Sequence, residues 1–204
     1  MVTKQGEIEM SNIWITSDTH LGHDRDFIWK PRGFNSVDEM NNEIIKRWNE
    51  KVQPEDIVYH LGDVMLGDNE VGENLLKQLN GNIRFIIGNH DTNSRLKIYE
   101  KYGEILGYAT VIKHRKKTLY LSHYPTLTGN FDDAVKGGTI NLCGHLHTFN
   151  KFLDTDKGAI YHCEMDAHNC YPILIDNVIT DIKNYCINER SKEVIKNDNE
   201  KIPY

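Results

Sequence analysis

Arg84-Phe85-Ile86-Ile87-Gly88-Asn89-His90-Asp91 is the stretch from which the fold can be read. The short apolar run reads as a buried strand, so Gly88–Asp91 falls in the loop past a strand's C-terminal end, where open α/β sheets place ligands. The glycine lets the backbone turn close to a ligand. An amide oxygen can then ligate a metal, an imidazole can move a proton, and a carboxylate can orient that imidazole. Alone, the four residues read more simply as a turn carrying a histidine.

The same arrangement occurs twice upstream. Ile13–Thr16 is β-rich and runs into Ser17-Asp18-Thr19-His20-Leu21-Gly22-His23-Asp24. Two residues apart in extended backbone, Asp18 and His20 would present an oxygen and an imidazole to one ion; otherwise Asp18 caps a turn and His20 is merely exposed. Ile57–Leu61 reads as a second buried strand and delivers Gly62-Asp63. Between these strands, Ser36 opens a capping box with Met40, Ile44, Ile45 and Trp48 at helical spacing down to Lys51, and a second helix spans about Asn69–Leu79, stopped by Asn80-Gly81. Such spacing makes the strands parallel, with right-handed crossovers. Arg25–Phe34 mixes basic and aromatic residues around Pro31-Arg32-Gly33 and reads as a loop lid, able to hold a phosphate and stack a base, or simply pinned by its aromatics.

After a helix near Ser94–Tyr102 the pattern changes to consecutive strands, about Ala109–Lys113 and Thr118–Leu121, around a basic turn at His114–Lys117. Ser122-His123-Tyr124-Pro125 follows, then a short helix at Phe131–Lys136. The strand Thr139–Cys143 ends at Gly144-His145-Leu146-His147. Strands at about Ile160–Glu164 and Tyr171–Ile175 are expected to complete a second sheet.

The chain has 204 residues, enough for one sizeable core, and we expect a single domain over 1–187 with a polar tail at 188–204. A net charge of −6 offers no attraction to long nucleic acid or to anionic membrane; a small or locally recognised substrate fits better. Cys143, Cys163, Cys170 and Cys186 form no C-x-x-C pair, and we read them as reduced thiols of a cytoplasmic protein. Residues 1–12 lack the apolar core of a signal peptide, and no run approaches membrane-spanning length.

Collected, the strand ends offer Asp18, His20, Asp63, Asn89, His123, His145 and His147. With one carboxylate shared they make two sets of four, which suits two divalent ions roughly 3.5–4 Å apart. Carboxylate, imidazole and amide ligands without thiolate suit Mn²⁺, Fe or Zn²⁺; we expect two divalent ions, Mn²⁺ foremost, with Fe, Zn²⁺ or Ni²⁺ as alternatives.

In the order D-x-H, G-D, G-N-H-[DE], H and G-H-x-H, these blocks resemble the signature of the calcineurin-like metallophosphoesterases over about residues 13–175, and their flanks look like the compact bacterial and phage members. The resemblance implies a four-layer α/β/β/α sandwich of two mixed sheets flanked by helices, with a dimetal site at the strand ends. It assigns Asp18, His20 and His147 to one ion, Asn89, His123 and His145 to the other, and Asp63 as a bridge. With it goes hydrolysis of a phosphoester by a hydroxide bridging the ions, and our first expectation is a phosphodiesterase acting on a small nucleotide or cyclic nucleotide. The alternatives are a phosphomonoesterase or nucleic-acid end-processing phosphatase, and a scaffold of the same fold that has lost catalysis. His90 is expected to protonate the leaving group and Asp91 to hold its ring, with His23, Arg25 and Arg32 as substrate contacts. His60 is expected behind the site or in the core, His162 and His168 on its far side, and His114 in solvent.

Overall fold

In the computed structural model, the described residues are 11–127, 139–155 and 158–185. Among the described residues ten strands are formed: β1 (Ile13–Thr16), β2 (Ile57–His60), β3 (Asn82–Ile86), β4 (Gly103–Gly107), β5 (Ala109–His114), β6 (Lys117–Ser122), β7 (Thr139–Cys143), β8 (Phe152–Thr155), β9 (Gly158–His162) and β10 (Ile173–Leu174). They make two mixed sheets, in the orders β10-β1-β2-β3-β4 and β5-β6-β7-β9-β8.

Alternation along the strands sets the layers. In β3, Ile83 and Phe85 face the helices while Ile86 joins a separate cluster with Leu119, Leu121, Ile140 and Leu142 of the second sheet. Val58 and Tyr59 of β2 divide in the same way. The helices α1 (Asp26–Trp29), α2 (Val37–Lys51), α3 (Asn69–Leu76) and α4 (Asn93–Tyr99) contribute to the cluster on the outer face of the first sheet. In α2, Ser36 Oγ accepts the Glu39 N–H, and Met40, Ile44 and Trp48 fall on one stripe with no exposed surface. Each such burial stabilises by about 1.5–3 kcal/mol.

The strands β1 to β4 are parallel, joined by α2, α3 and α4 as crossovers. Two expectations are corrected. The strand expected at about Tyr171–Ile175 shortens to β10 and pairs antiparallel with β1 in the first sheet, and the chain turns helical at once over 175–185, burying Val178 and Ile182 in the inter-sheet cluster. The lid contains a helical turn, α1, rather than loop throughout. Helix α3 stops at Leu76, and α4 runs from Asn93 to Tyr99. The helix expected at Phe131–Lys136, Cys186 and the polar tail lie outside the described residues. Among the described residues, no helix is long and apolar enough to cross a membrane.

Candidate metal centre

Thr16 is level with His60, and His60 with Phe85, so the loops after β1, β2 and β3 leave the first sheet at one edge. Leu121 is level with Leu142, which brings the loops after β6 and β7 out together as well. Neighbouring loops are then bolted to one another. Asp18 N–H donates to Gly62 O (3.0 Å), His20 N–H to Asp63 O (3.1 Å), and Gly144 N–H to His123 O (3.0 Å). Side chains extend the lacing: His90 N–H donates to Asp63 Oδ1 (2.8 Å), and His145 N–H to Asp18 Oδ2 (2.9 Å).

Two features record how tightly the loops converge. A Cβ at Gly88 would strike the Asp63 carboxylate, and one at Gly144 would strike Ser17 Oγ and Asp18 Oδ2. Asp18, His20, Asp63, His145 and His147 also have left-handed backbone, with φ between 48° and 78°. For non-glycine residues this costs roughly 1–3 kcal/mol each and gathers at functional sites. Asp18 and His20 therefore share a side through a left-handed turn, not through the extended backbone assumed from their spacing.

Two clusters of side-chain atoms result. In the first, His20 Nε2 and His147 Nε2 are 3.1 Å apart and each lies 3.7 Å from Asp18 Oδ1. In the second, Asn89 Oδ1 lies 2.8 Å from His123 Nε2 and 2.9 Å from His145 Nδ1. Asp63 Oδ2 stands between them, 3.8 Å from His20 Nε2 and 3.5 Å from His123 Nε2. Donors held about 2.1 Å from one ion stand roughly 3.0–3.5 Å apart, so these separations fall at, or a little to either side of, that range. Asp18 Oδ1 is also fully buried and meets no hydrogen-bond donor among the described residues, which a cation would remedy. His123 turns its Nδ1 to Leu61 O at 2.9 Å, leaving Nε2 free to ligate. The side chains present thus fit divalent cations.

Electrostatics agree with that fit. Burial would raise the Asp18 carboxyl, but the close approach of His20, with the charges of His123 and His147, holds it well below the usual carboxylate range. Burial pushes His20 down to about 4 against the pull of Asp18, so its imidazole is neutral at pH 7. Burial lifts Asp63 to about 6, opposed by His123 and the His90 N–H and assisted by the Asp18 and Asp91 carboxylates. Carboxylates crowded in this way are relieved by positive charge placed between them.

The other expected residues are placed as follows. His90 carries its ring 44 % exposed, with Nε2 4.0 Å from Asp63 Oδ2 and the ring edge-on to His20. Asp91 does not hold that ring: its carboxylate accepts the N–H groups of Gly88 (2.8 Å), Asp63 (2.9 Å) and Val64 (3.4 Å) and the Tyr99 hydroxyl (2.7 Å). His23 packs 5.2 Å from the His20 ring, with Phe27 edge-on beyond it, and Arg25 is exposed at the start of α1. Arg32 is turned inward, its side chain fully buried and bonded to Asp166, so a direct hold on substrate gives way to a structural engagement. His60 lies in the core against Thr19 Oγ1 (2.9 Å), and His162 and His168 are held behind the site by Glu164 Oε1 and His162 O. His114 is not free in solvent; it pairs with Asp176 at 2.7 Å.

Asp166 was not singled out from the sequence. It sits on the 3-10 turn Met165–His168, and its Oδ2 lies 3.1 Å from His147 Nδ1. Burial would raise its carboxyl, but His147 and Arg32 hold it well below the usual range. Tyr124 was likewise passed over; it is half exposed and stands edge-on to His123 and His145.

Residues 11–162 match the family model of the calcineurin-like phosphoesterase superfamily domain. The chain belongs to the calcineurin-like phosphoesterase superfamily. Membership indicates phosphoesterase activity and implies divalent metal ions, for which the clusters above are the candidate ligand groups. An uncharacterized protein of Methanocaldococcus jannaschii, MJ1445, is 34% identical over 176 residues, covering 84% of this chain and 92% of its own. The Gene 66 protein of Mycobacterium phage L5 is 36% identical over 165 residues, 68% of this chain and 79% of its own. In fold, the chain is similar to the Aquifex aeolicus protein of unknown function AQ665, with TM-score 0.62 and 23% identity over 83% of this chain and 98% of that one. Within the superfamily fold, the two mixed sheets flanked by helices carry the candidate centre at their common edge.

Proposed function

We propose that this calcineurin-like phosphoesterase is a dinuclear-metal phosphodiesterase that hydrolyses a small nucleotide or cyclic nucleotide in the cytoplasm. The observation that carries the reading is Asp63 Oδ2, a single carboxylate oxygen common to both clusters at 3.8 and 3.5 Å. Asp18, His20 and His147 would hold one divalent ion, Asn89, His123 and His145 the other, with Asp63 shared and Mn²⁺ the ion proposed among those that the donor set admits. Such ions supply positive charge against the phosphoryl oxygens and acidify an attacking water.

The chain's own residues do the rest. His90 stands exposed beside Asp63 and presents an imidazole that can protonate a leaving alkoxide, which an alkyl diester needs more than an aryl ester does. Its backbone N–H holds Asp63 Oδ1 and leaves Oδ2 directed at the clusters. Phe27 on α1 and Tyr124 beside His123, 66 % and 50 % exposed, offer faces for a nucleobase, and Arg25 and His23 lie beside Phe27 to meet substrate.

The test is the rate on a 3′,5′-cyclic nucleotide and on bis-p-nitrophenyl phosphate against the rate on p-nitrophenyl phosphate, each with Mn²⁺. Diester rates should lead by at least about tenfold, a transition-state preference of roughly 1.4 kcal/mol. A lead for the monoester would replace this reading with the phosphomonoesterase or end-processing one.

A further inference from the structure

Arg32 and Asp166 are 134 residues apart in sequence and joined by a two-pronged ion pair, Nε to Oδ1 at 3.0 Å and Nη2 to Oδ2 at 2.7 Å. Both side chains are buried, Arg32 completely. The guanidinium has further donors in use: Nη2 also bonds the carbonyl oxygen of Asp18 at 2.8 Å, and Nη1 that of Thr19 at 3.3 Å. Asp166 Oδ2 in turn faces His147 Nδ1 at 3.1 Å. One cation thus grips the backbone of Asp18 and, through one carboxylate, the ring of His147. The second cluster is backed differently, since His123 Nδ1 leans on the neutral carbonyl of Leu61.

We propose that Arg32 and Asp166 are positioning residues that set the affinity of the Asp18–His20–His147 cluster for its ion, separately from the Asn89–His123–His145 cluster. The inference rests on the dinuclear reading above. A carboxylate at Nδ1 fixes the tautomer whose Nε2 lone pair faces the ion and makes the imidazole a stronger donor, an effect that typically changes metal affinity about 10–100-fold. The planar fork of arginine fixes the carboxylate's orientation as lysine cannot. A buried ion pair recovers little beyond its own desolvation, so stability alone does not explain its placement. Its position explains it: Asp18 opens the chain's first ligand loop, His147 closes the last, and the pair ties both to the turn at Met165–His168.

The experiment is a calorimetric titration of metal-free full-length chain with Mn²⁺, with electron paramagnetic resonance at each stoichiometry, for wild type, Asp166→Asn and Arg32→Lys. Wild type should take up two ions and show a spin-coupled pair. In each variant one class of site should weaken by about 10–100-fold while the other is unchanged, and one equivalent should give an uncoupled signal. Asp166→Asn strands a buried guanidinium and can cost stability, whereas Arg32→Lys keeps the charge and loses only the fork, so the second variant carries the test if the first unfolds. Unchanged affinity of both classes, or equal weakening of both, overturns the proposal while leaving a dinuclear wild type intact. A wild type that binds no Mn²⁺ overturns the dinuclear reading and this one with it.

Discussion

Asp91 Oδ2 accepts the backbone N–H of Asp63 at 2.9 Å, so the end of one ligand loop holds in place the carboxylate that stands between the two clusters. The same carboxylate also satisfies Gly88, Val64 and Tyr99. Asp91→Ala would strand these donors, each at about 1–3 kcal/mol when left unpaired in the interior. Urea unfolding should show a loss of at least about 3 kcal/mol, with metal binding weakened through Asp63. If Asp91 served only to orient His90, stability would hold and only turnover would fall.

His90 has the opposite profile. Its ring is nearly half exposed, so His90→Ala should leave the melting temperature near wild type. Turnover of an alkyl phosphodiester should fall by about 10²–10⁴-fold, the usual worth of a positioned acid, with a much smaller loss for a p-nitrophenyl ester whose leaving group needs no proton. Equal losses on both substrates would remove His90 from the leaving-group role.

Gly144→Ala tests the convergence of the loops. The new Cβ meets Ser17 Oγ and Asp18 Oδ2, and the Ser17 side chain is fully buried. We expect a loss of about 1–3 kcal/mol, typical of overpacking, together with weaker metal uptake because the clash falls on Asp18. Gly33→Ala, where a Cβ has open space but φ is +85°, should show the backbone cost without the loss of metal.

Stability should also fall on acidification. His60 is fully buried, and burial pushes it down to about 4 against the pull of Asp91 and Asp18; burial takes His168 to about 4 as well. The unfolded chain protonates histidine near 6.5, so from about pH 6.5 down to about 4 the unfolded state holds the extra proton. Stability present above that window is therefore lost as pH falls through it, by on the order of 3 kcal/mol for one such group. Urea unfolding of the metal-free chain and of His60→Gln should show a gap that narrows between about pH 7.5 and 4.5. A gap independent of pH would contradict a neutral buried His60.

The parts of this molecule that could be read from its sequence were those governed by local pattern. Strand–loop–helix repetition places Asp18, Asp63 and Asn89 at one edge because parallel strands in register end together. The α2 helix is announced by Ser36 and its Met40–Ile44–Trp48 stripe. What escaped was decided by distant partners. Four-residue β8 and glycine-bounded β4 exist through pairing with β9 and β3, and β10 crossed to the first sheet because β1 offered it an edge. Arg32 looked like a surface cation beside a ligand loop. Its inward course depends on Asp166, which no local pattern near either residue announces. Asp91 stands next to His90 in sequence, whereas three of its four donors come from the loop after β2 and from Tyr99.

Mn²⁺-stimulated hydrolysis of bis-p-nitrophenyl phosphate by metal-reconstituted wild type, run beside Asp63→Asn, bears most directly on a centre organised around one shared carboxylate. Wild type should be stimulated by Mn²⁺, and Asp63→Asn should lose about 100-fold or more in turnover because both clusters lose the charge that faces them. A wild type indifferent to Mn²⁺, or an Asp63→Asn chain as active as wild type, would contradict the shared-carboxylate centre.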